Sequence, residues 1–233
     1  MHEALGVFLR DVVEATAPFA AAYKPNFAFF ERFGVKGWML LADVIAHCRT
    51  FAPHAVVVGD GKRGDIGNTS RFYAQSAFEE LGVDAVTVSP YMGSDSVAPF
   101  LEREDKGAFV LAHTSNVGAR DFQQRISDGG TLYEHVVKRS LAWADRLPGT
   151  LGFVAGATDI KSLARIRDLA PDNPLLIPGI GAQGGSIQDV LDVAGPGPML
   201  INVSRGILYA GKGADYAKRA ADAADAYSQE MAI

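Results

Sequence analysis

The sequence predicts an α/β chain wound as a (β/α)8 barrel, a TIM barrel lacking the usual first strand, and three observations carry that prediction. Helical stretches alternate with short β-type runs along almost the whole chain. The β-type runs are nearly continuously apolar instead of alternating, as expected for strands covered on both faces in a parallel sheet. Polar clusters gather where those runs end, which is where such a barrel keeps its functional site.

Taken in order, residues 4–17 place Leu5, Phe8, Leu9, Val12 and Val13 on one helical face, so the chain opens on a helix. A short apolar run over 20–23 follows and ends at Lys24-Pro25, where the proline holds its predecessor extended. Further helices are predicted over 37–50, 68–81, 94–102, 132–147, 160–169, 187–193 and 214–228. Strands are predicted between them over 55–59, 85–89, 108–112, 151–155, 174–177 and 199–203. The reading yields roughly eight helices and about seven strands, whereas a (β/α)8 barrel sets a strand before every helix. An apolar run ending in Asp, encoded ahead of Met1, is the expected missing piece. An open doubly wound sheet tolerates this strand count, but its usual Gly-rich dinucleotide turn after the first strand is absent. Residues 116–130 form the longest stretch without periodicity. No repeat or linker divides the chain, so residues 1–233 are expected to form a single barrel domain.

The 233 residues are 48% hydrophobic and 21% charged, a balance that excludes disorder as the main state. Lys and Arg total 22 against 27 Asp and Glu, for a formal charge of -5 with no basic stretch, so no nucleic-acid partner is expected. Cys48 has no partner for an internal disulfide and reads as a small buried hydrophobe. Charged residues at helical spacing break the opening segment, and no apolar run nears the roughly 18 residues of a membrane span. A cytoplasmic protein without membrane contact is the expectation.

Two clusters carry the chemistry. Asp60-Gly61-Lys62-Arg63-Gly64-Asp65-Ile66-Gly67-Asn68-Thr69 follows the run 55–59 directly. Asp60 and Lys62 stand two apart, so in extended backbone both point into the barrel mouth, where opposite charges meet. The plain alternative is a solvated turn, but position at a strand end, flanking glycines and a third charge at Asp65 favour a site. The second cluster, Pro178-Gly179-Ile180-Gly181-Ala182-Gln183-Gly184-Gly185-Ser186, leads into a helix. Its N–H groups form an anion cradle. Ser204-Arg205-Gly206 ends the next strand, where Arg205 can grip a phosphate with two hydrogen bonds. If one strand is missing from the start, these loops follow strands seven and eight, the recurrent phosphate position of the fold.

These motifs, with Ala22-Tyr23-Lys24-Pro25-Asn26, Ser89-Pro90-Tyr91-Met92-Gly93, Thr114-Ser115-Asn116 and Val154-Ala155-Gly156-Ala157-Thr158 in order, resemble the orotidine 5'-monophosphate decarboxylase family, in the branch that includes mycobacterial enzymes. The likeness runs from about Leu9 to the last helix. It implies a cofactor-free and metal-free homodimer with active sites at the subunit interface. It also implies conversion of orotidine 5'-monophosphate to UMP, the last step of de novo pyrimidine synthesis. The family's charged tetrad falls on Lys24, Asp60 and Lys62 of one subunit and Asp65 of the other, with Ile66 and Thr69 also reaching the partner's site. Ser115 and Gln183 match positions that touch the pyrimidine and close over the ligand. Pro178 matches a position that shapes the pocket, and Arg205, beside Ser204, one that holds the phosphate. The sequence departs from the pattern in lacking the ribose-contacting Asp of a first strand. It also has His113 where this branch often has Arg, and Val117 where Pro follows Thr-Ser-Asn.

Decarboxylation at C6 leaves a carbanion in the ring plane that the π system cannot delocalise, so an ammonium held between carboxylates suits the task. On this reading Lys62 is the proton donor. Related barrels that act on sugar phosphates with Mg²⁺ carry a similar Asp-x-Lys-x-x-Asp, but Gln183 and Lys24-Pro25-Asn26 favour the pyrimidine reaction. A catalytically impaired nucleotide-binding barrel is the alternative from another class.

Overall fold

The computed structural model describes residues 2–181 and 184–231. Seven strands form one parallel sheet: β1 (Ala22–Tyr23), β2 (Val56–Arg63), β3 (Ala85–Val88), β4 (Gly107–His113), β7 (Thr150–Ala155), β8 (Leu175–Pro178) and β9 (Met199–Asn202). They lie side by side in chain order, the order of a barrel built by successive βα units. The remaining strands, β5 (Ile126–Ser127) and β6 (Gly130–Thr131), make a separate antiparallel hairpin. The barrel is nearly closed: β1 pairs with β2 and β9 with β8, while no pairing joins β9 to β1 among the described residues. The seam falls between β9 and β1, where the sequence reading expects one further strand. Accordingly, all four residues of β9 are half-buried, whereas all four of β3 are buried.

Period-two alternation divides the strand side chains between two layers. Val58, Ala85, Phe109, Val154 and Leu176 form a small inner cluster with Leu111 and Leu200 packed on it. Their chain neighbours Val57, Val86, Val110, Phe153, Leu175 and Ile177 belong to the larger cluster shared with the helices. Both faces of each central strand are therefore apolar, which explains the unbroken apolar runs.

The helical shell comprises α1 (His2–Thr16), α2 (Phe27–Glu31), α3 (Val35–Phe51), α4 (Gly67–Gln75), α5 (Ser94–Val97), α6 (Ala119–Phe122), α7 (Leu132–Ala144), α8 (Ile160–Leu169), α9 (Ile187–Ala194), α10 (Arg205–Leu208) and α11 (Tyr216–Met231). Helix α8 matches its expected span; others differ for local reasons. The stretch 68–81 leaves α-geometry for a π-helical turn at Ser76–Glu80. The stretch 94–102 passes from α5 into a 3-10 turn at Ala98–Leu101, because Pro99 lacks the N–H an α-helix would use there. Residues 116–130 are not structureless. They hold α6 and the β5–β6 hairpin, turned by Asp128 and Gly129 at φ 47° and 78°. Asp-Gly is a strong hairpin signal. Asp11 lies inside α1, where it accepts a hydrogen bond from the Tyr216 hydroxyl.

Candidate active site

The first half of the site is built on β1, β2 and the short helix between β1 and α3. Pro25 carries the chain out of β1, its carbonyl accepts the Asp60 N–H at 2.9 Å, and Asn26 caps α2 by accepting the Ala28 N–H. Phe27 then turns inward against β2, 3% exposed and edge-on to Trp38. A Cβ at Gly59 or Gly61 would sit 2.7 or 2.8 Å from the Phe27 ring, so only glycine on either side of Asp60 lets the ring pack there.

That packing delivers three charges to one point. Lys24 Nζ donates to Asp60 Oδ2 at 2.8 Å, and Lys62 Nζ donates to Asp60 Oδ1 at 2.5 Å. Asn26 Nδ2 donates to Oδ2 at 3.0 Å, and the Thr87 hydroxyl donates to Oδ1 at 2.9 Å. Burial pushes the Asp60 carboxyl pKa up. The Lys24 charge and hydrogen bond, followed by those of Lys62, outweigh that and hold it down to about 2. Lys62 itself is not extended, as alternation along a strand assumes; its φ is 46°, in the left-handed region. The β2–β3 register is irregular between Gly59 and Arg63, so the two side chains meet through a bulge and not through plain alternation.

A cavity of about 380 Å³ opens at this cluster, lined by Lys24, Asp60, Lys62, Thr87, Leu111, Thr114, Ser115, Asn116, Gln123, Val154, Leu176 and Pro178. Inner-layer apolar residues floor it and polar strand ends rim it. Of the residues singled out in the sequence, Lys24, Asp60, Lys62, Ser115 and Pro178 line it together. Ile66, Thr69, Ser204 and Arg205 do not. Asp65 does not join the lysines either: its Oδ1 accepts the Ile66 N–H at 2.7 Å, and it forms no ion pair among the described residues. Gln183 lies outside the described residues.

Sequence reasoning passed over Thr87 and Gln123. Gln123 accepts the Thr114 N–H at 2.8 Å and pins the β4 end from which Ser115 projects. Thr87 reads as one more β-branched residue of an apolar strand, and Gln123 sits in the aperiodic segment, so neither carried a signal. His113, at the end of β4, is 3% exposed, and burial lowers its pKa against the opposing pull of Asp159 3.9 Å away.

In the glycine-rich segment after β8, Gly179, Gly181 and Gly184 have φ of 106°, 69° and 91°, values that only glycine enters readily. Ser186 caps α9 by accepting the Asp189 N–H. Arg205 opens α10 and is exposed; its carbonyl accepts the Tyr209 N–H at 3.2 Å, while its side chain has no hydrogen bond or ion pair among the described residues. No group of three or more His, Cys, Asp or Glu side chains able to hold a metal ion lies together among those residues.

A parallel βα barrel with a lysine–carboxylate network at the ends of β1 and β2 and a glycine-rich loop after β8 has the layout of a barrel enzyme with its site at the C-terminal strand ends. Residues 4–220 match the model of the orotidine 5'-phosphate decarboxylase / HUMPS family, and the chain belongs to that family. It is 46% identical to an orotidine 5'-phosphate decarboxylase of Flavobacterium johnsoniae over 97% of this chain and 82% of the relative. Among solved structures it superposes on Leishmania donovani OMP decarboxylase with TM-score 0.85 and 41% identity, covering 98% of this chain and 89% of that one. With Leishmania donovani UMP synthase the TM-score is 0.88 at 43% identity, covering 99% of this chain but about half, 51%, of the longer one.

Proposed function

We propose that this chain removes CO₂ from orotidine 5'-monophosphate with Lys62 as the proton donor. The observation that carries the reading is the Asp60 carboxylate gripped by both Lys24 and Lys62 at the mouth of the cavity, in a chain of this family. The activity is that of a carboxy-lyase forming UMP in de novo pyrimidine biosynthesis. Breaking the C6–carboxylate bond leaves its electron pair on C6 and releases CO₂. The Lys62 ammonium offsets that charge as it develops and then transfers a proton from Nζ to C6, giving UMP. Asp60, held ionised by its lysines, keeps Lys62 aimed and meets the substrate carboxylate with like charge, a secondary contribution. Ser115 and Gln183 contact the base, Pro178 shapes the wall, and Ser204, Arg205 and the glycine cradle take the phosphate. Binding energy gained at the phosphate, remote from C6, is expressed in the transition state.

Within the family, the assignment extends to the branch that includes mycobacterial enzymes and to a homodimer with shared sites. Asp65, Ile66 and Thr69 then serve the neighbouring site, and the partner subunit's Asp65 completes the tetrad around Lys62. Support comes from the apolar side chains exposed around the Asp65 loop: Ile66 at 57%, Phe72 at 64% and Tyr91 at 87%. On this reading the partner subunit covers these side chains. Among the described residues no helix is long and apolar enough to cross a membrane, and a cytoplasmic location is part of this reading.

The test is turnover of orotidine 5'-monophosphate by the purified chain, with and without a chelator, beside Lys62→Ala. The expected outcome is chelator-insensitive release of CO₂ that disappears in Lys62→Ala while UMP still binds. Near-normal turnover by Lys62→Ala removes the proton-donor assignment, and loss of turnover with chelator removes the metal-free mechanism.

A further inference from the structure

We infer that Thr87 is a positioning residue for the proton donor, acting through its side-chain hydroxyl at the bulge in β2. The inference rests on the assignment of Lys62 above. In the β2–β3 ladder Gly59 pairs with Val86 and Arg63 with Val88, so residues 60, 61 and 62 stand opposite Thr87 alone. Three residues against one leave backbone groups of β2 without ladder partners. The Thr87 hydroxyl fills that place: it accepts the Lys62 N–H at 2.9 Å and donates to Asp60 Oδ1 at 2.9 Å. One oxygen thereby fixes the backbone of the proton donor and the carboxylate that aims its ammonium.

The arrangement is rigid. Thr87 is 1% exposed, and its residue pairs with Phe109 of β4, a member of the inner apolar cluster. Lys62, by contrast, has its side chain 49% exposed and its backbone at φ 46°, a conformation that persists only where surroundings hold it. Asp60 Oδ1 receives both the Thr87 hydroxyl and Lys62 Nζ, so the chain from Lys62 N–H through the hydroxyl and the carboxylate to Nζ closes on the same residue. Accepting the Lys62 N–H polarises the Thr87 hydroxyl that donates to Asp60. Thr87 does not need to touch a reacting atom for this role.

The experiment compares Thr87→Val, which keeps the shape and deletes the hydroxyl, with Thr87→Ser, which keeps the hydroxyl. Misplacing the proton donor by deleting this support lowers kcat for Thr87→Val by roughly 10- to 100-fold, with KM and UMP affinity little changed. Thr87→Ser stays close to the parent because the two bonds are retained. Equal kcat for the valine and parent chains overturns the inference. So does a kcat loss in Thr87→Ser as large as in Thr87→Val, since that places the effect in the methyl packing. If the valine chain does not fold, Thr87→Ala against Thr87→Ser decides: alanine loses at least about tenfold in kcat at unchanged KM, and equal turnover of the two overturns it. Lys62→Ala in the same assay separates the two failures. A Lys62→Ala chain that still turns over removes the reading of Lys62 itself. A dead Lys62→Ala beside a full-speed Thr87→Val removes only the role of Thr87.

Discussion

Asp60 accepts four hydrogen bonds on its two carboxylate oxygens, from Lys24, Asn26, Lys62 and Thr87, while 7% exposed. Its folded pKa of about 2 lies below the roughly 3.9 of an unfolded aspartate, so the folded chain binds the proton less tightly than the unfolded one. The stabilisation is therefore complete above about pH 4 and is lost as pH falls through about 2, on the order of 2 kcal/mol in all. Urea midpoints measured across that window should fall with pH in the parent chain and much less in Asp60→Asn. Equal slopes would show that Asp60 is not the group responsible. At the proposed phosphate end of the site, the exposed Arg205 side chain has no hydrogen bond or ion pair among the described residues. Arg205→Ala should raise KM and lower kcat together, and added guanidinium should restore part of the rate by refilling the charge. A response to a phosphate-free substrate identical to that of the parent chain would contradict this role.

Between residue and molecule, α2 and its packing on α3 bring Lys24 and Asn26 to Asp60. The two helices approach so closely that a Cβ at Gly37 of α3 would lie 1.8 Å from the Phe30 carbonyl oxygen of α2. Gly37→Ala must push α2 outward, and with it Phe27, which sits against Gly59 and Gly61 on either side of Asp60. The expected cost is about 3 kcal/mol of stability, read as a lowered urea midpoint, with a fall in kcat from the displaced Asn26–Asp60 contact. A variant as stable and as active as the parent would mean that α2 can shift without disturbing β2.

For the molecule as a whole, the proposed shared site makes a prediction that no single-subunit site makes. Lys62→Ala and Asp65→Ala should each be nearly inactive alone. Mixed under conditions that allow subunit exchange, about half the dimers become hybrids in which one site carries both defects and the other carries none. Activity should return to roughly a quarter of the parent value. Exchange demonstrated without recovery would put Asp65 in its own subunit's site.

The alternation of helices with unbroken apolar runs was legible in the sequence because burial on both strand faces is written into every residue of a run, and most elements fell within a few positions of their observed bounds. The charged cluster was legible because Asp60, Lys62 and the glycines between and beside them are contiguous. Tertiary structure decided what sequence distance hides. Lys24 joins Asp60 from 36 residues away, and Thr87 reaches across a bulge that pairs three residues with one. Lys62 takes up a positive φ that strand alternation cannot anticipate. The sequence by itself determined which residues carry charge and which bury; only the packing of β1, α2 and β3 around β2 determined which of them meet, because a hydrogen bond depends on ångström-scale placement that residue order does not encode.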